Sequence, residues 1–344
     1  MEVPWARAKL QFAMGVSVVW SLQVLRFMAA LMIVYVHAAQ IAAVTTGSPG
    51  TLPQEWAIAG RAGVDIFFVL SGIIITKTAQ GLTAEEFAWR RFRRIIPFYF
   101  VCCIPAVAIA AKSELGWRDL LATFALWPAT DQMTAPLVPV AWTLCFEVLF
   151  YTAAAMVLVD RRWLYGLLAL YAAAMMFRST GPVLQFLGNP IIAEFLLGVL
   201  LFYAPRWRPA VIGIPVGAAL IVLAGPLGIA PDQGTLEALV GADGFLRLFV
   251  YGIPAALIVY GAMQIEAKPS VWTYLGDASY SLYLVHIFIL SALWQLWAIF
   301  PIPADFTIAV GMTASVLFAW RIHERFEKPI LKIFGRRQMH TAVA

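Results

Sequence analysis

The chain is dominated by apolar segments that are long enough, or nearly long enough, to cross a lipid bilayer as helices. Because an α-helix rises about 1.5 Å per residue, about 20 apolar residues cover a hydrocarbon core of about 30 Å. Ten such segments are present: 21–43, 63–80, 95–111, 138–159, 163–177, 190–204, 209–229, 245–263, 279–299 and 304–322. Hydrophobic residues make up 62% of the chain and charged residues 12%, whereas a soluble domain carries about a quarter charged residues. The sequence therefore predicts an all-α, polytopic integral membrane protein with about ten transmembrane helices around a central cavity.

The basic residues predict how these helices are oriented. Most of the 24 lysines and arginines fall in alternate connecting segments, and such segments face the cytoplasm in membrane proteins. Both termini are then cytoplasmic in a multi-pass protein of the inner (plasma) membrane. The net charge of +5 thus indicates topology and not nucleic-acid binding. We predict an N-terminal cytoplasmic or interfacial extension at 1–20, a transmembrane domain at 21–325 and a cytoplasmic tail at 326–344.

Two ionisable residues, Arg26 and His37, lie within the first apolar segment. Their spacing of eleven residues places both side chains on one helix face, about 16 Å apart along the axis. An arginine inside the membrane usually faces a protein interior or a wet cavity, because exposing it to lipid is costly. Histidine exchanges protons near neutral pH, so His37 is a candidate general base for an alcohol nucleophile. The alternative is a structural pair, with a snorkelling arginine and a histidine that is hydrogen-bonded across a helix interface.

Three acidic residues in other apolar segments are candidates for the site. Asp65 opens the second segment at a depth near that of His37, where it would orient the imidazole; capping of the helix N-terminus is the alternative. Glu147 is predicted near the middle of the membrane, where an unpaired carboxylate is a functional-site candidate. A structural ion pair between Glu147 and Arg26 is the alternative for that residue. Glu194 in the sixth segment is a weaker candidate of the same kind.

Four arginines precede the third apolar segment: Arg90, Arg91, Arg93 and Arg94. On a helix, Arg90 and Arg93 form one i, i+3 pair, and Arg91 and Arg94 form a second pair on a neighbouring face. Planar guanidinium groups bind phosphate oxygens through two donors at once. The cluster therefore favours a cytosolic phosphorylated donor such as an ester of coenzyme A. Anchoring to anionic lipid headgroups is the alternative.

The ninth apolar segment carries Tyr283 and His286, three residues apart on one helix face. We expect them to line the path of the donor, although a single histidine in a helix interface is more often structural. The sequence contains no recognisable metal-ligand cluster, phosphate-binding loop or cysteine-based active site. We therefore predict no metal cofactor.

These segments resemble a known family. The chain is similar to the membrane-bound acyltransferase 3 family, notably the branch that O-acylates exopolysaccharides and lipooligosaccharides. Six blocks carry the resemblance: LQVLRFMAAL (22–31) with the spacing from Arg26 to His37, GVDIFFVLSG (63–72), RRFRRIIP (90–97), WTLCFEVLFY (142–151), SYSLYLVH (279–286) and ERFEKP (324–329). Together they extend over almost the whole chain in the order of the family.

The resemblance implies a ten-helix core that carries an acyl group from cytosolic acyl-CoA to a sugar hydroxyl outside the cell. It also implies that His37 is the catalytic histidine and that Arg26 is its motif partner. The four clustered arginines would contact coenzyme A, and Glu147 and Asp65 would be supporting acids.

The sequence thus predicts a membrane O-acyltransferase that moves an acyl group, preferably acetyl from acetyl-CoA, to a cell-surface or exported glycan or its lipid-linked precursor. Its partners would be membrane lipids, the carbohydrate acceptor and polysaccharide-assembly proteins, with no nucleic acid. The rival is a secondary transporter that uses Arg26, His37 and Glu147 as a proton relay. A transporter is expected to show inverted repeats and matched broken helices, and neither is visible in the sequence. A non-catalytic partner in a polysaccharide assembly is the third hypothesis.

Overall fold

The computed structural model describes residues 16–111, 115–231, 233–297, 299–300 and 302–336. Within these ranges the regular structure is helical, and no strand is present. The α-helices are α1 (Val16–Thr46), α2 (Gln54–Ala57), α3 (Gly63–Ala79), α4 (Ala84–Ala110), α5 (Trp117–Phe124), α6 (Trp142–Val159), α7 (Trp163–Met176), α8 (Pro182–Leu187), α9 (Ile192–Tyr203), α10 (Gly213–Ala224), α11 (Thr235–Val240), α12 (Gly244–Arg247), α13 (Ile253–Ala262), α14 (Val271–Asp277), α15 (Ser279–Trp297), α16 (Ala304–Ile322) and α17 (Lys328–Arg336). Two π-helical segments, Leu248–Gly252 and His323–Glu327, connect α12 to α13 and α16 to α17.

The described residues contain eight helical stretches that are long and apolar enough to cross a membrane. Two further apolar helices, Trp163–Met176 and Arg208–Ala224, are shorter. The predicted segment 190–204 joins the preceding short helix in a stretch of full length, Pro182–Tyr203. The predicted segment 209–229 ends early instead. The all-α membrane fold is therefore confirmed, whereas the number of crossings and the cytoplasmic position of the termini stay predictions.

Both ends of the predicted transmembrane domain differ from the helix boundaries. Helix α1 begins at Val16, so residues 16–20 of the predicted extension are helical and continuous with the first helix; residues 1–15 lie outside the described part of the chain. At the other end, the last candidate span runs from Ala304 to Ile333 and continues past the boundary predicted at 325. The rest of the predicted tail, 337–344, lies outside the described residues.

Helix α1 occupies the centre of the bundle, where it packs against α3, α14, α15 and α16. Apolar side chains occur on all sides of it, which is the pattern of a helix surrounded by protein or by lipid. Ala29, Ala30 and Val34 are completely buried. The face that carries Arg26 and His37 is thereby held inside the protein.

Helices α3 and α9 cross at two glycines. A methyl group added to Gly72 would lie 2.2 Å from the carbonyl oxygen of Phe195, and one added to Gly198 would lie 2.1 Å from that of Val69. Small residues allow such close contact between membrane helices, because attraction between them depends on packing and not on exclusion of water. The crossing fixes the position of α3, which contributes Ser71 to the site described below.

Two hydrogen bonds between distant parts of the chain mark the two ends of the bundle. At one end the Ser21 hydroxyl donates to the carbonyl oxygen of Ala262 at 2.8 Å. Arg26 lies five residues after Ser21 on α1, and it borders the same cavity as Arg91 and Arg94. We therefore call this the basic end. At the opposite end the Arg178 guanidinium donates to the carbonyl oxygen of Gly241 at 2.6 Å. The topology predicted from the sequence places the basic end in the cytoplasm.

Candidate active site

A polar cavity of about 100 Å³ lies between α1, α3, α4, α6 and α15. Its charged lining residues are Arg26, Arg91, Arg94 and Glu147, so positive charge exceeds negative charge there. We call it the arginine cavity. A space of this size holds several water molecules or a small chemical group. Six hydroxyl side chains complete its polar lining: Ser71, Thr143, Tyr151, Ser279, Tyr280 and Tyr283.

Only one of the two predicted arginine pairs borders this cavity. Arg91 and Arg94 line it, whereas Arg90 and Arg93 do not. Both pairs lie on α4, whose first turn is fixed by a capping box between Thr83 and the third residue of the helix. The i, i+3 spacing therefore gave the right grouping, and the packing of α4 selects the pair that faces inward.

The Arg91 guanidinium is held by contacts that leave its charge unpaired. It donates to the Thr78 hydroxyl at 2.5 Å, and it lies over the rings of Phe87 and Tyr151, 5.6 and 5.8 Å from their centroids. Among the described residues, no carboxylate forms an ion pair with Arg91 or Arg94. The pair is thus available to an external anion.

Arg26 borders the cavity from α1. Its guanidinium donates to the Gln23 side chain at 3.1 Å, and the Gln23 amide donates to Asp277 at 2.8 Å. A direct ion pair between Arg26 and Glu147 is not formed. The structural bridge considered from the sequence is therefore wrong, although both side chains face the same cavity.

Glu147 is fixed by hydroxyl groups. The Ser71 hydroxyl donates to one carboxylate oxygen at 2.8 Å, and the Tyr151 hydroxyl donates to the other at 3.3 Å. These contacts hold the carboxylate at the cavity wall. It makes no contact with His37, so Glu147 does not position the imidazole directly.

Two buried polar atoms at the cavity have no hydrogen-bond partner among the described residues. They are Nε of Arg91 and the hydroxyl oxygen of Ser279, and both residues line the cavity. Buried polar atoms are nearly always paired with protein, water or ligand. Two such groups beside unpaired guanidinium groups fit the oxygen atoms of a negatively charged ligand.

His37 is paired with His286 across the interface of α1 and α15. Nδ1 of His37 lies 2.9 Å from Nε2 of His286, and the two rings stack with centroids 5.1 Å apart and an angle of 23°. His286 is completely buried, whereas His37 is half-buried. On the other side of its ring, Nδ1 of His286 lies 3.0 Å from the carbonyl oxygen of Leu282.

This chain of contacts fixes the proton positions. A carbonyl oxygen only accepts, so Nδ1 of His286 carries the hydrogen that it donates to Leu282. In a neutral imidazole the other nitrogen is then an acceptor. Nε2 of His286 therefore accepts from Nδ1–H of His37, which leaves the lone pair of His37 on Nε2. That nitrogen makes no hydrogen bond to a described residue, and it is the nitrogen on which His37 can accept a proton.

Tyr283 lies between the arginine cavity and the histidine pair. Its ring lines the cavity, and its centroid lies 6.2 Å from that of His286. Its hydroxyl donates to the carbonyl oxygen of Val140 at 2.6 Å and lies 2.9 Å from the Thr143 hydroxyl. His37 itself is not a lining residue. The sequence analysis expected Arg26 and His37 to share one cavity; the structure places Arg26 in it and His37 behind Tyr283.

Asp65 does not orient His37, and this prediction is wrong. Both oxygens of Asp65 accept hydrogen bonds from Arg247, at 2.9 and 2.8 Å, and both residues are buried. Arg247 also lies over the Trp142 ring, 5.9 Å from its centroid. Asp65 belongs to the first turn of α3 but makes no capping hydrogen bond. The position beside His37 is taken by His286 instead.

Glu194 lies near this ion pair and outside the arginine cavity. It is completely buried, and neither of its carboxylate oxygens has a hydrogen-bond partner among the described residues. A methyl group added to Gly252, in the π-helical segment, would lie 2.9 Å from Oε1 of Glu194. In the part of the chain that the structure describes, no group of three His, Cys, Asp or Glu side chains is placed to hold a metal ion.

Comparison with known families now decides the identity of the chain. Residues 19–322 match the acyltransferase 3 family, which is described as an acyltransferase domain. The chain belongs to the acyltransferase 3 family. The match covers every residue of the arginine cavity and both members of the histidine pair, so the candidate site lies wholly within the family domain.

Several curated proteins are similar to this acyltransferase. It is 30% identical over 310 residues to the exopolysaccharide production protein ExoZ of Rhizobium meliloti, which covers 82% of this chain and 93% of that protein. It is 24% identical to the acyltransferase MdmB of Streptomyces mycarofaciens, over 92% of this chain and 93% of that protein. It is also 24% identical to the O-acetyltransferase OatA of Staphylococcus aureus, over 68% of this chain and 47% of that protein. No solved structure matches the acyltransferase.

Sequence reasoning missed two residues of this region. Arg247 is not among the predicted site residues, although a lone arginine and a lone aspartate at the ends of two apolar segments are natural partners inside a membrane. Ser279 is not among them either, because nothing in the sequence shows which hydroxyl of a helix lacks a partner.

Proposed function

We propose that this acyltransferase moves an acetyl group from acetyl-CoA to a hydroxyl of an exported or cell-surface glycan, or of its lipid-linked precursor. The observation that carries the proposal is the pair of adjoining sites on α15. One is a cavity with unpaired arginines, which suits a phosphorylated donor. The other is a histidine whose Nε2 lone pair is oriented by a second histidine.

The donor side is supported by charge. Arg91 and Arg94 bind phosphate groups of coenzyme A in this proposal, because guanidinium groups bind phosphate oxygens with two donors at once. Arg26 lies deeper in the membrane on α1 and faces the same space. The basic end is cytoplasmic in the predicted topology, where acetyl-CoA is made. The plasma membrane is therefore the expected location.

The acyl group is assigned from a relative, which is named as an O-acetyltransferase. Acetyl is accordingly the group that we assign.

The reaction follows from the histidine pair. The acceptor hydroxyl gives its proton to Nε2 of His37 while its oxygen bonds to the thioester carbonyl carbon. The tetrahedral intermediate then expels the thiolate of coenzyme A, which takes the proton back from His37. An ester and a free thiol are formed. Arg26 lies about 16 Å from His37 along α1, too far to contact an oxyanion formed beside His37, so we assign it to binding of the donor. The Tyr283 ring must turn aside for the thioester to reach His37.

The acceptor is assigned from the relatives. One of them is named for exopolysaccharide production and another is an O-acetyltransferase. A glycan hydroxyl is a weak nucleophile until a base removes its proton, which is the role that the free nitrogen of His37 supports. The acceptor approaches His37 from the end of the bundle opposite the donor.

The test uses the complete chain in detergent with radiolabelled acetyl-CoA and glycan from the source cells. Replacing His37→Ala should lower transfer by about 100-fold or more, the usual contribution of a general base. Gln40→Ala is the matched control, because Gln40 is an exposed residue three positions along the same helix. Equal transfer by wild type and His37→Ala would exclude the proposal. A transporter would give no transfer in detergent, where there are no two compartments.

A further inference from the structure

A second, much larger cavity lies on the other side of α6. It is a groove of about 1320 Å³ between α3 and α9 on one side and α6 and α7 on the other. It shares one lining residue, Ile75, with the arginine cavity. Pockets for small molecules measure about 300–1,000 Å³. The groove is therefore of a size that suits the chains of a lipid.

The groove is the gap between α7 and α9. Helix α7 packs mainly on α8 and α6, and its lining residues Leu164, Leu168 and Leu170 keep 45%, 42% and 48% of their surface exposed. These leucines belong to an apolar helix, so in the membrane predicted from the sequence the groove faces hydrocarbon. Its walls give an apolar chain a complementary surface on two sides.

The mouth of the groove is basic. Arg161 follows the end of α6, Arg206 follows the end of α9, and both line the groove. No Asp or Glu is among its described lining residues. Gln80, in the turn after α3, adds a neutral hydrogen-bonding side chain to the same mouth. Two guanidinium groups at the polar end of an apolar channel are complementary to a lipid phosphate.

We propose that this groove binds an anionic phospholipid, with its acyl chains between α7 and α9 and its phosphate at Arg161 and Arg206. A lipid-linked glycan acceptor is the other phosphate-bearing lipid to consider. Its sugars would then lie at the basic end, whereas the proposed function brings the acceptor to His37 from the opposite end. A membrane phospholipid is also far more concentrated than a carrier lipid, and occupancy follows concentration. The bound lipid fills the gap that α7 leaves and joins this helix to the rest of the bundle.

The experiment measures lipids that stay bound to the detergent-purified full chain by native mass spectrometry, with phosphatidylglycerol and phosphatidylcholine as probes. The test variant is the double replacement Arg161→Gln with Arg206→Gln. Arg162→Gln with Arg208→Gln is the matched control, because these arginines lie in the same two connections, are exposed and do not line the groove. Each arginine near a lipid phosphate contributes about 1 kcal/mol, so the test variant should bind phosphatidylglycerol about 30-fold more weakly.

Wild type and control should retain phosphatidylglycerol over phosphatidylcholine, and added phosphatidylglycerol should raise their thermal stability. Equal retention of both lipids, or equal loss in test and control variants, would overturn the proposal. Preferential retention of a polyprenyl phosphate would overturn the choice of lipid.

The variant Ala154→Trp provides a second experiment, because Ala154 lines the groove and the indole would occupy it. Unchanged phosphatidylglycerol binding in this variant would place the lipid elsewhere. Failure of any of these tests leaves the acetyl-transfer assay unaffected, so the two proposals are separable.

Discussion

The arginine cavity and the Asp65–Arg247 pair use the same residue types at opposite ends of the bundle, but they balance charge differently. In the pair, both carboxylate oxygens accept from one guanidinium, and the two residues are almost completely buried. In the cavity, Arg91 and Arg94 form no ion pair with a described carboxylate and border open space. A membrane arginine that is fully paired stabilises the fold, whereas one left unpaired beside a cavity is available to a ligand. The difference separates a region whose charges are paired with each other from one that is open to a ligand.

The largest expected effect is on stability, at the paired region. Asp65→Asn should lower the free energy of unfolding by about 3–5 kcal/mol, because a buried arginine loses its counter-charge. Thermal unfolding of the detergent-purified protein measures this. The double replacement Asp65→Leu with Arg247→Met should be less destabilising than the single one, since it removes both buried charges. If Asp65→Asn unfolds like wild type, the region is not structural as we describe it.

The second prediction concerns the histidine pair. His286→Leu removes the acceptor that orients His37, so kcat for acetyl transfer should fall at least about 100-fold. His286→Gln can still accept from Nδ1–H of His37 through its side-chain oxygen and should restore most of the rate. The pH profile of kcat should shift in the leucine variant and return in the glutamine variant. Equal rates for the two variants would show that His286 only fills space.

The third prediction compares the two arginine pairs of α4. Arg91→Gln with Arg94→Gln should raise KM for acetyl-CoA by about 30-fold, because two charge-assisted contacts to phosphate are lost. Arg90→Gln with Arg93→Gln carries the same change of charge on the faces that do not line the cavity. This control should leave KM within about twofold. Similar KM values for both double variants would favour the lipid-anchor hypothesis.

A smaller effect is expected at Glu194. Its oxygens have no described partner, and the nearby Arg247 is already engaged by Asp65, so a charge on Glu194 would be uncompensated. Glu194→Gln keeps the shape without the charge and should change the free energy of unfolding by less than about 0.5 kcal/mol. A large loss of stability, measured by thermal unfolding, would show that the charged form is needed.

The smallest effect is expected at the exposed pair of Arg118 and Asp131. The Arg118 side chain donates to Asp131 and holds the pKa of that carboxyl below its usual range. Any stabilisation is present above the pKa of the unfolded chain and is lost as pH falls through the folded value. Because both side chains are solvated, Asp131→Asn should leave the melting temperature unchanged between pH 6 and 8. A clear shift in melting temperature would mean that the exposed Arg118–Asp131 pair stabilises the protein much as the buried Asp65–Arg247 pair does.

The sequence predicts the helices and the grouping of residues along each helix, but not the partners across helices. The length and composition of the apolar segments are enough for the all-α membrane fold, and the i, i+3 spacing is enough to pair Arg91 with Arg94. Which face of α4 is inward depends on packing, so the sequence left both pairs as candidates.

Partners across helices depend on how distant segments come together. Arg247 lies 182 positions after Asp65, and His286 lies 249 positions after His37. Asp65 was predicted at a depth near that of His37, but the partner of His37 in the structure is His286. The position of a residue in a transmembrane helix predicts its depth in the membrane. Its neighbours on other helices are fixed only by tertiary packing.

The position of Tyr283 bears on the ion permeability of the membrane. A protein that passes an acyl group through a bilayer risks forming a continuous file of water, along which protons would flow down their gradient. The Tyr283 ring closes the arginine cavity before the imidazole pair, and its hydroxyl is anchored to the backbone of Val140. With the ring in this position, the arginine cavity can hold water without a continuous file of water reaching the imidazole pair, so protons could cross only while the ring is turned aside.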